Sequence, residues 1–203
     1  MEKLKVRISV RNLVEFILRS GDLDNSRGSS GDKEAMLKGG RHRKIQRSMK
    51  GNYQAEVSLK RESEYEDVII QVEGRADGIF TEDGEFWIDE IKGTYGNLQA
   101  MEVPVPVHRA QAMCYGWIYG EKEGLSQIGI QMTYSHLDTE DTRRFREIFS
   151  MEELKNWYQK LLDDYHKWIS CSLSWKKERN ASMKDLQFPF PYREGQREIV
   201  SGV

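Results

Sequence analysis

Asp77, Glu90 and Lys92 are the residues whose types and spacing could act together on an anionic substrate. Between Asp77 and Glu90 lies Asp83-Gly84, a two-residue signal for a tight β-hairpin. With these two in the turn, Phe80 faces Trp87, Ile79 faces Ile88 and Asp77 faces Glu90. Directly opposed residues on one sheet face stand roughly 4.5 to 5.5 Å apart at Cβ, where two carboxylates repel unless a cation lies between them. Carboxylate oxygens suit magnesium or manganese, which keep several waters and take one or two protein carboxylates. Lys92, two residues beyond Glu90, lies on the same strand face, so an ammonium joins the pair. The same register sets Arg75 opposite Lys92, either as a second cation for the substrate or as a like charge that splays the strands. The competing reading is a solvated strand face whose charges pair with one another. Against it, the segment Phe86 to Lys92 carries aromatic and aliphatic residues on both faces, and unpaired charge on a covered face is costly.

The elements that must position these residues are legible as periodicities. Val6, Ile8 and Val10 alternate as a short strand, and Leu13, Phe16 and Ile17 then take helical spacing after Ser9, a candidate N-cap. Gly21 to Asp32 has loop composition, and residues 33 to 50 favour a helix that is strongly basic towards its end. Segments 53 to 61, 67 to 80 and 85 to 92 predict a three-stranded meander. His108 to Tyr119 predicts a helix with Pro106 near its first turn, followed by strands at 127 to 134 and 143 to 149. Ser150 and Glu153 form a capping-box pattern opening a long amphipathic helix. The expected fold is α/β: a central mixed β-sheet flanked by helices, in the order α-β-β-β-α-β.

The 203 residues suit one domain with an appendage, and a formal net charge of −2 means that any polyanion-binding surface must be local. Arg41, Arg43, Lys44, Arg47 and Lys50 are such a patch, which a solvated helix face would produce equally. Asp22, Asp24 and Ser26 resemble a calcium loop only faintly; Gly28 falls one place late, which rejects it. Cys114 and Cys171 have neither disulfide-framework nor zinc spacing, and no apolar run reaches membrane-helix length. A cytoplasmic protein without a membrane partner is expected.

Gly74-Arg75-Ala76-Asp77 followed by Ile88-Asp89-Glu90-Ile91-Lys92 resembles the core of the PD-(D/E)XK nuclease superfamily. Gln111-Ala112-Met113-Cys114-Tyr115 is similar to the Q-x-x-x-Y helix of its RecB-like exonuclease branch, and Gly39-Gly40-Arg41-His42 resembles that branch's upstream Gly/His motif. The upstream motif departs from the family, which places three residues between Gly and His where two follow Gly39 here. The resemblance implies a restriction-endonuclease-like core and DNA hydrolysis with magnesium or manganese. Its ligands would be Asp77, Glu90, the Ile91 carbonyl and His42, with Lys92 orienting water or stabilising charge. Gln111 and Tyr115 would support the lysine and the DNA backbone, alongside contacts from Arg75, Arg43, Lys44 and Arg47. Some members carry an iron-sulfur cluster on four cysteines; two cysteines cannot supply one, so none is expected.

Phe188-Pro189-Phe190-Pro191-Tyr192-Arg193-Glu194-Gly195-Gln196 is similar to the segment that opens the motor of XPD/DinG-type helicases. No Walker phosphate loop occurs in the sequence. This implies a nuclease domain over 1–186, a linker and the start of a helicase motor over 187–203, and a motor acting in cis. The alternative is a catalytically inactive module of the same fold that guides a helicase on DNA.

Overall fold

The computed structural model describes residues 3–20, 32–49, 52–184 and 190–201. Most of the expected Gly21–Asp32 loop, with the rejected calcium pattern, lies outside the described residues, as do Lys50 and residues 187–189 of the expected linker. The chain divides into two compact units, Met1–Tyr165 and His166–Val203. The boundary falls inside one long helix.

In the first unit, β1 (Leu4–Ser9) leads into α1 (Val10–Ile17), and α2 (Asp32–Ser48) precedes the meander β2 (Gln54–Glu64), β3 (Val68–Glu82) and β4 (Glu85–Thr94). Then come α3 (Pro106–Glu123), β5 (Gln127–His136), β6 (Thr142–Ser150) and α4 (Met151–Ser182), which continues into the second unit; α5 (Gln196–Ser201) lies in that unit. Local chemistry explains the boundaries. The Ser9 hydroxyl accepts the Asn12 amide at 3.1 Å, capping α1. Ser150 and Glu153 exchange the two bonds of the capping box, at 2.9 and 3.2 Å, before α4. Pro106 opens α3 where no intrahelical N–H is needed, and Gly124 ends it in the left-handed region at φ 67°. Asp83 and Gly84 both take positive φ, 52° and 85°, the twist that a two-residue hairpin requires.

Six strands form one mixed sheet in the order β1-β3-β4-β5-β6, with β2 also paired to β3. The pairs β1·β3 and β4·β5 are parallel and the rest antiparallel. Since β2 runs along one edge of β3 from Ile69 to Ile79, β1 and β4 must share the other edge, end to end. There β1 stops at Glu73 and β4 begins at Gly78. Residues 74–77 of β3 therefore face a notch with no strand in it.

Helix α3 covers the sheet face that carries Ile128 and Ile130, and every residue from Ala110 to Gly120 is buried. At Gly116 an added Cβ would already touch Ile130, Leu154 and Ile128 at 3.4 to 3.5 Å, so helix and sheet pack at close range. This layer forms the main core, and the notch opens beside it.

Candidate active site

The hairpin register holds from Glu82↔Glu85 through Phe80↔Trp87 and Ile79↔Ile88, as the turn residues predict, and ends at Gly78↔Asp89. The expected Asp77↔Glu90 and Arg75↔Lys92 pairs do not form. In continued register the Ile91 amide would meet the Ala76 carbonyl; it donates instead to Asp77 Oδ2 at 2.7 Å. A side chain thus replaces a ladder bond, and the strands part at the notch. Paired strand residues exchange both backbone bonds, so the Ile91 carbonyl points the same way as its N–H, into the notch.

The strand changes face at this point. Gly74 lies under α3, where an added Cβ would sit 2.6 Å from the Tyr115 hydroxyl oxygen. Gly78 lies on the opposite face, where a Cβ would sit 1.8 Å from that of Tyr53. Residues four apart in a regular strand share a face, so the alternation slips by one between them. On β2 the ladder skips Glu56, held at φ 58°, opposite Asp77. Both glycines are required by aromatic hydroxyls that approach the backbone too closely for a side chain.

Helix α2 supplies the fourth wall. Gln46 donates to the Asp77 carbonyl at 2.9 Å and to Glu56 Oε1 at 3.1 Å. His42, one turn earlier on the same face, places Nδ1 3.7 Å from Asp77 Oδ1. Arg41 anchors the helix elsewhere, donating to the Leu137 carbonyl and pairing with Glu140.

Glu90 is 4% exposed. Its Oε1 pairs with Lys92 Nζ at 2.7 Å, while Oε2 is buried without a hydrogen-bond partner. Burial, and then the Asp77 charge, push the Glu90 carboxyl up to about 8, against the pull of Lys92. Asp77 is also raised, by burial, although His42, the Ile91 amide and Lys92 oppose the shift.

Glu90 Oε2 is thus buried without a hydrogen-bond partner, and Asp77 Oδ1 is the carboxylate oxygen turned towards His42. Among the described residues no group of three or more His, Cys, Asp and Glu is arranged to hold a metal. Magnesium and manganese do not need such a group, because water and substrate oxygens complete their shell. An orphaned buried oxygen beside a second raised carboxyl fits one hard cation, with the Ile91 carbonyl as a third donor. His42 can join by closing slightly, since adjacent ligands of one octahedral ion stand about 3 Å apart.

No family model matches the chain, and no curated protein matches it. The crystal structure of SSO0001 is similar, with a TM-score of 0.50 and 21% identity over 80% of this chain and 78% of that one. The likeness is one of fold. It supports the mixed α/β architecture and leaves the chemistry to the residues.

The other expected site residues are distributed unevenly. Gln111 and Tyr115 are both buried in α3, not on an open surface. Tyr115 packs against Gly74, and burial together with the charges of Glu90 and Asp77 raises its hydroxyl. Arg75 pairs with Glu56 at 2.5 Å, not with anything on β4. Lys44 pairs with Glu140, whereas Arg43 and Arg47 are exposed on α2.

A second cluster escaped the sequence reading. Asp89 is fully buried on the face opposite Glu90 and accepts from Thr133 Oγ1 at 2.6 Å, Gln131 Nε2 at 3.0 Å and the Tyr53 hydroxyl at 3.1 Å. These bonds fix β4 behind the site. A charged residue in mid-strand, directly after Ile88, was the available signal for it. Gln46 carried no such signal.

Proposed function

We propose that this chain is a metal-dependent DNA nuclease of the PD-(D/E)XK type, RecB-like branch, built on a restriction-endonuclease-like core. The observation that carries the reading is the unpartnered, buried Glu90 Oε2 beside Asp77, with the Lys92 ammonium 2.7 Å from the other Glu90 oxygen. Two carboxylates driven towards protonation gain a reason to be ionised once a cation sits between them.

Asp77, Glu90, the Ile91 carbonyl and His42 would hold magnesium or manganese. When bound, such an ion polarises a phosphate oxygen and acidifies a coordinated water. The chain's own residues supply the rest. Asp77 is aimed by the Ile91 amide and by Gln46 on its backbone; Glu90 is aimed by Lys92. Lys92 has donors to spare beyond its Glu90 bond, so it can orient water or neutralise charge on the phosphate. Tyr115 and Gly74 hold the notch open.

Single strands or ends exposed by a helicase are the substrates we infer, with the motor in cis; the segment Phe190 to Gln196 supports that setting. Two unpaired cysteines, and no described helix long and apolar enough to cross a membrane, suit a cytoplasmic enzyme. The test is degradation of end-labelled DNA with magnesium or manganese. The wild type should cleave, and Glu90→Gln and Lys92→Ala should each lose at least about a hundredfold. Binding without cleavage under every divalent metal would make the chain a DNA-guiding module instead.

A further inference from the structure

Three residues past Lys92, β4 gives way to a pocket of about 320 Å³ that the nuclease chemistry does not use. Tyr95, Asn97, Leu98, Gln99, His136 and Asp141 line it. Tyr95 is 50% exposed and meets His136 edge to face, with ring centroids 6.4 Å apart at 88°. A half-exposed aromatic ring at the mouth of a pocket is a stacking surface.

The pocket is built. His136 is set opposite Thr94 by the β4·β5 ladder. Its Nδ1 accepts the amides of Asp138 and Thr139, each at 3.2 Å, so the ring proton of the neutral imidazole lies on Nε2 as a donor. Asn97 Oδ1 accepts the Gln99 amide at 2.9 Å, and Arg143 holds the carbonyls of Leu98 and Gln99 at 2.9 and 3.0 Å. These bonds fix the loop before a ligand arrives.

The charges select the ligand. No lysine or arginine lines the pocket, and Asp141 contributes a carboxylate, so a phosphate group is disfavoured. A flat, uncharged, hydrogen-bonding ring suits an aromatic wall, amides and an imidazole donor. The distance is also apt: three strand residues cover about 10 Å, the span of about three stacked nucleotides at 3.4 Å each.

We propose that this pocket takes an unpaired nucleobase, stacked on Tyr95, from the strand whose phosphate lies at Asp77, Glu90 and Lys92. The assignment deepens the nuclease reading and rests on it for the path of the strand. It makes single-stranded DNA the preferred substrate, since a base held in a duplex cannot enter.

The test measures binding with cleavage prevented by EDTA. An oligonucleotide carrying one 2-aminopurine is titrated with wild type, Tyr95→Ala and Tyr95→Trp, and a blunt duplex of the same sequence is run in parallel. Wild type should quench the probe and bind the single strand more tightly than the duplex. Tyr95→Ala should lose the quench and about tenfold in single-strand affinity, with duplex binding unchanged, and Tyr95→Trp should retain both. Wild-type affinity in Tyr95→Ala, equal loss in Tyr95→Trp, or no single-strand binding by the wild type would each overturn the proposal. Because no turnover is read, its failure is distinct from a failure of the nuclease reading, which the cleavage assay of Glu90 and Lys92 variants decides.

Discussion

The Asp77 carboxylate accepts the Ile91 amide at 2.7 Å, and in doing so takes the place of a backbone bond between β3 and β4. One oxygen completes the sheet; the other faces His42. The residue therefore has a structural half and a chemical half, and substitutions should separate them. Asp77→Asn keeps an acceptor for Ile91 and should leave stability within about 1 kcal/mol, whereas Asp77→Ala leaves that amide unpaired and should cost about 1 to 3 kcal/mol. Both should abolish metal-dependent cleavage. Urea denaturation alongside activity tells the two halves apart.

Glu90 should make stability fall with rising pH. Its folded-state carboxyl titrates near 8, above the ordinary glutamate value of 4.5, so between these values the folded chain keeps a proton that the unfolded chain has released. Stability is fully present below about 4.5 and declines up to about 8. Glu90→Gln removes this dependence. Its advantage over the wild type should grow across that window to about 5 kcal/mol, read from chemical denaturation at stepped pH without metal.

Metal binding should displace the same proton. Apparent manganese affinity, followed as a rise in Tm, should increase with pH up to about 8 and level off. Glu90→Gln should show little stabilisation by manganese at any pH. A pH-independent shift in the wild type would place the ion elsewhere.

Gly74 and Tyr115 should be energetically coupled. A Cβ at Gly74 would meet the Tyr115 hydroxyl oxygen at 2.6 Å, so Gly74→Ala should cost about 1 to 3 kcal/mol. Removing the hydroxyl with Tyr115→Phe should recover part of it. The double-mutant cycle in thermal or urea unfolding measures the coupling.

Gln46 should act on the site through Asp77 rather than on the fold. Its two bonds tie α2 to β3 at the Asp77 carbonyl and at Glu56, so Gln46→Ala should weaken manganese binding about tenfold or more. The change in Tm without metal should be small.

Much of this arrangement was legible in the sequence because it follows from local rules. The Asp83-Gly84 turn set a register that holds through Gly78↔Asp89, and Ser9, Ser150 and Pro106 start helices where their side chains or missing amide require. The register failed at Asp77, where a side-chain acceptor displaces a main-chain one, and no periodicity reports that exchange. The slip between Gly74 and Gly78 is likewise set by tertiary contacts, through hydroxyls of Tyr115 and Tyr53 that lie distant in sequence. The unbroken register sets Arg75 opposite Lys92, either as a second cation or as a like charge that splays the strands; the strands part there, and Arg75 pairs with Glu56. Asp89 is one residue from Glu90, yet its three partners come from other segments, so only the assembled sheet reveals its network.

The proposed chemistry requires one divalent ion between Asp77 and Glu90. A crystal soaked in manganese and measured at the manganese absorption edge tests it most directly. An anomalous peak is expected at bonding distance from both Asp77 Oδ1 and Glu90 Oε2. No peak there, with Glu90 Oε2 still unpaired, would contradict it.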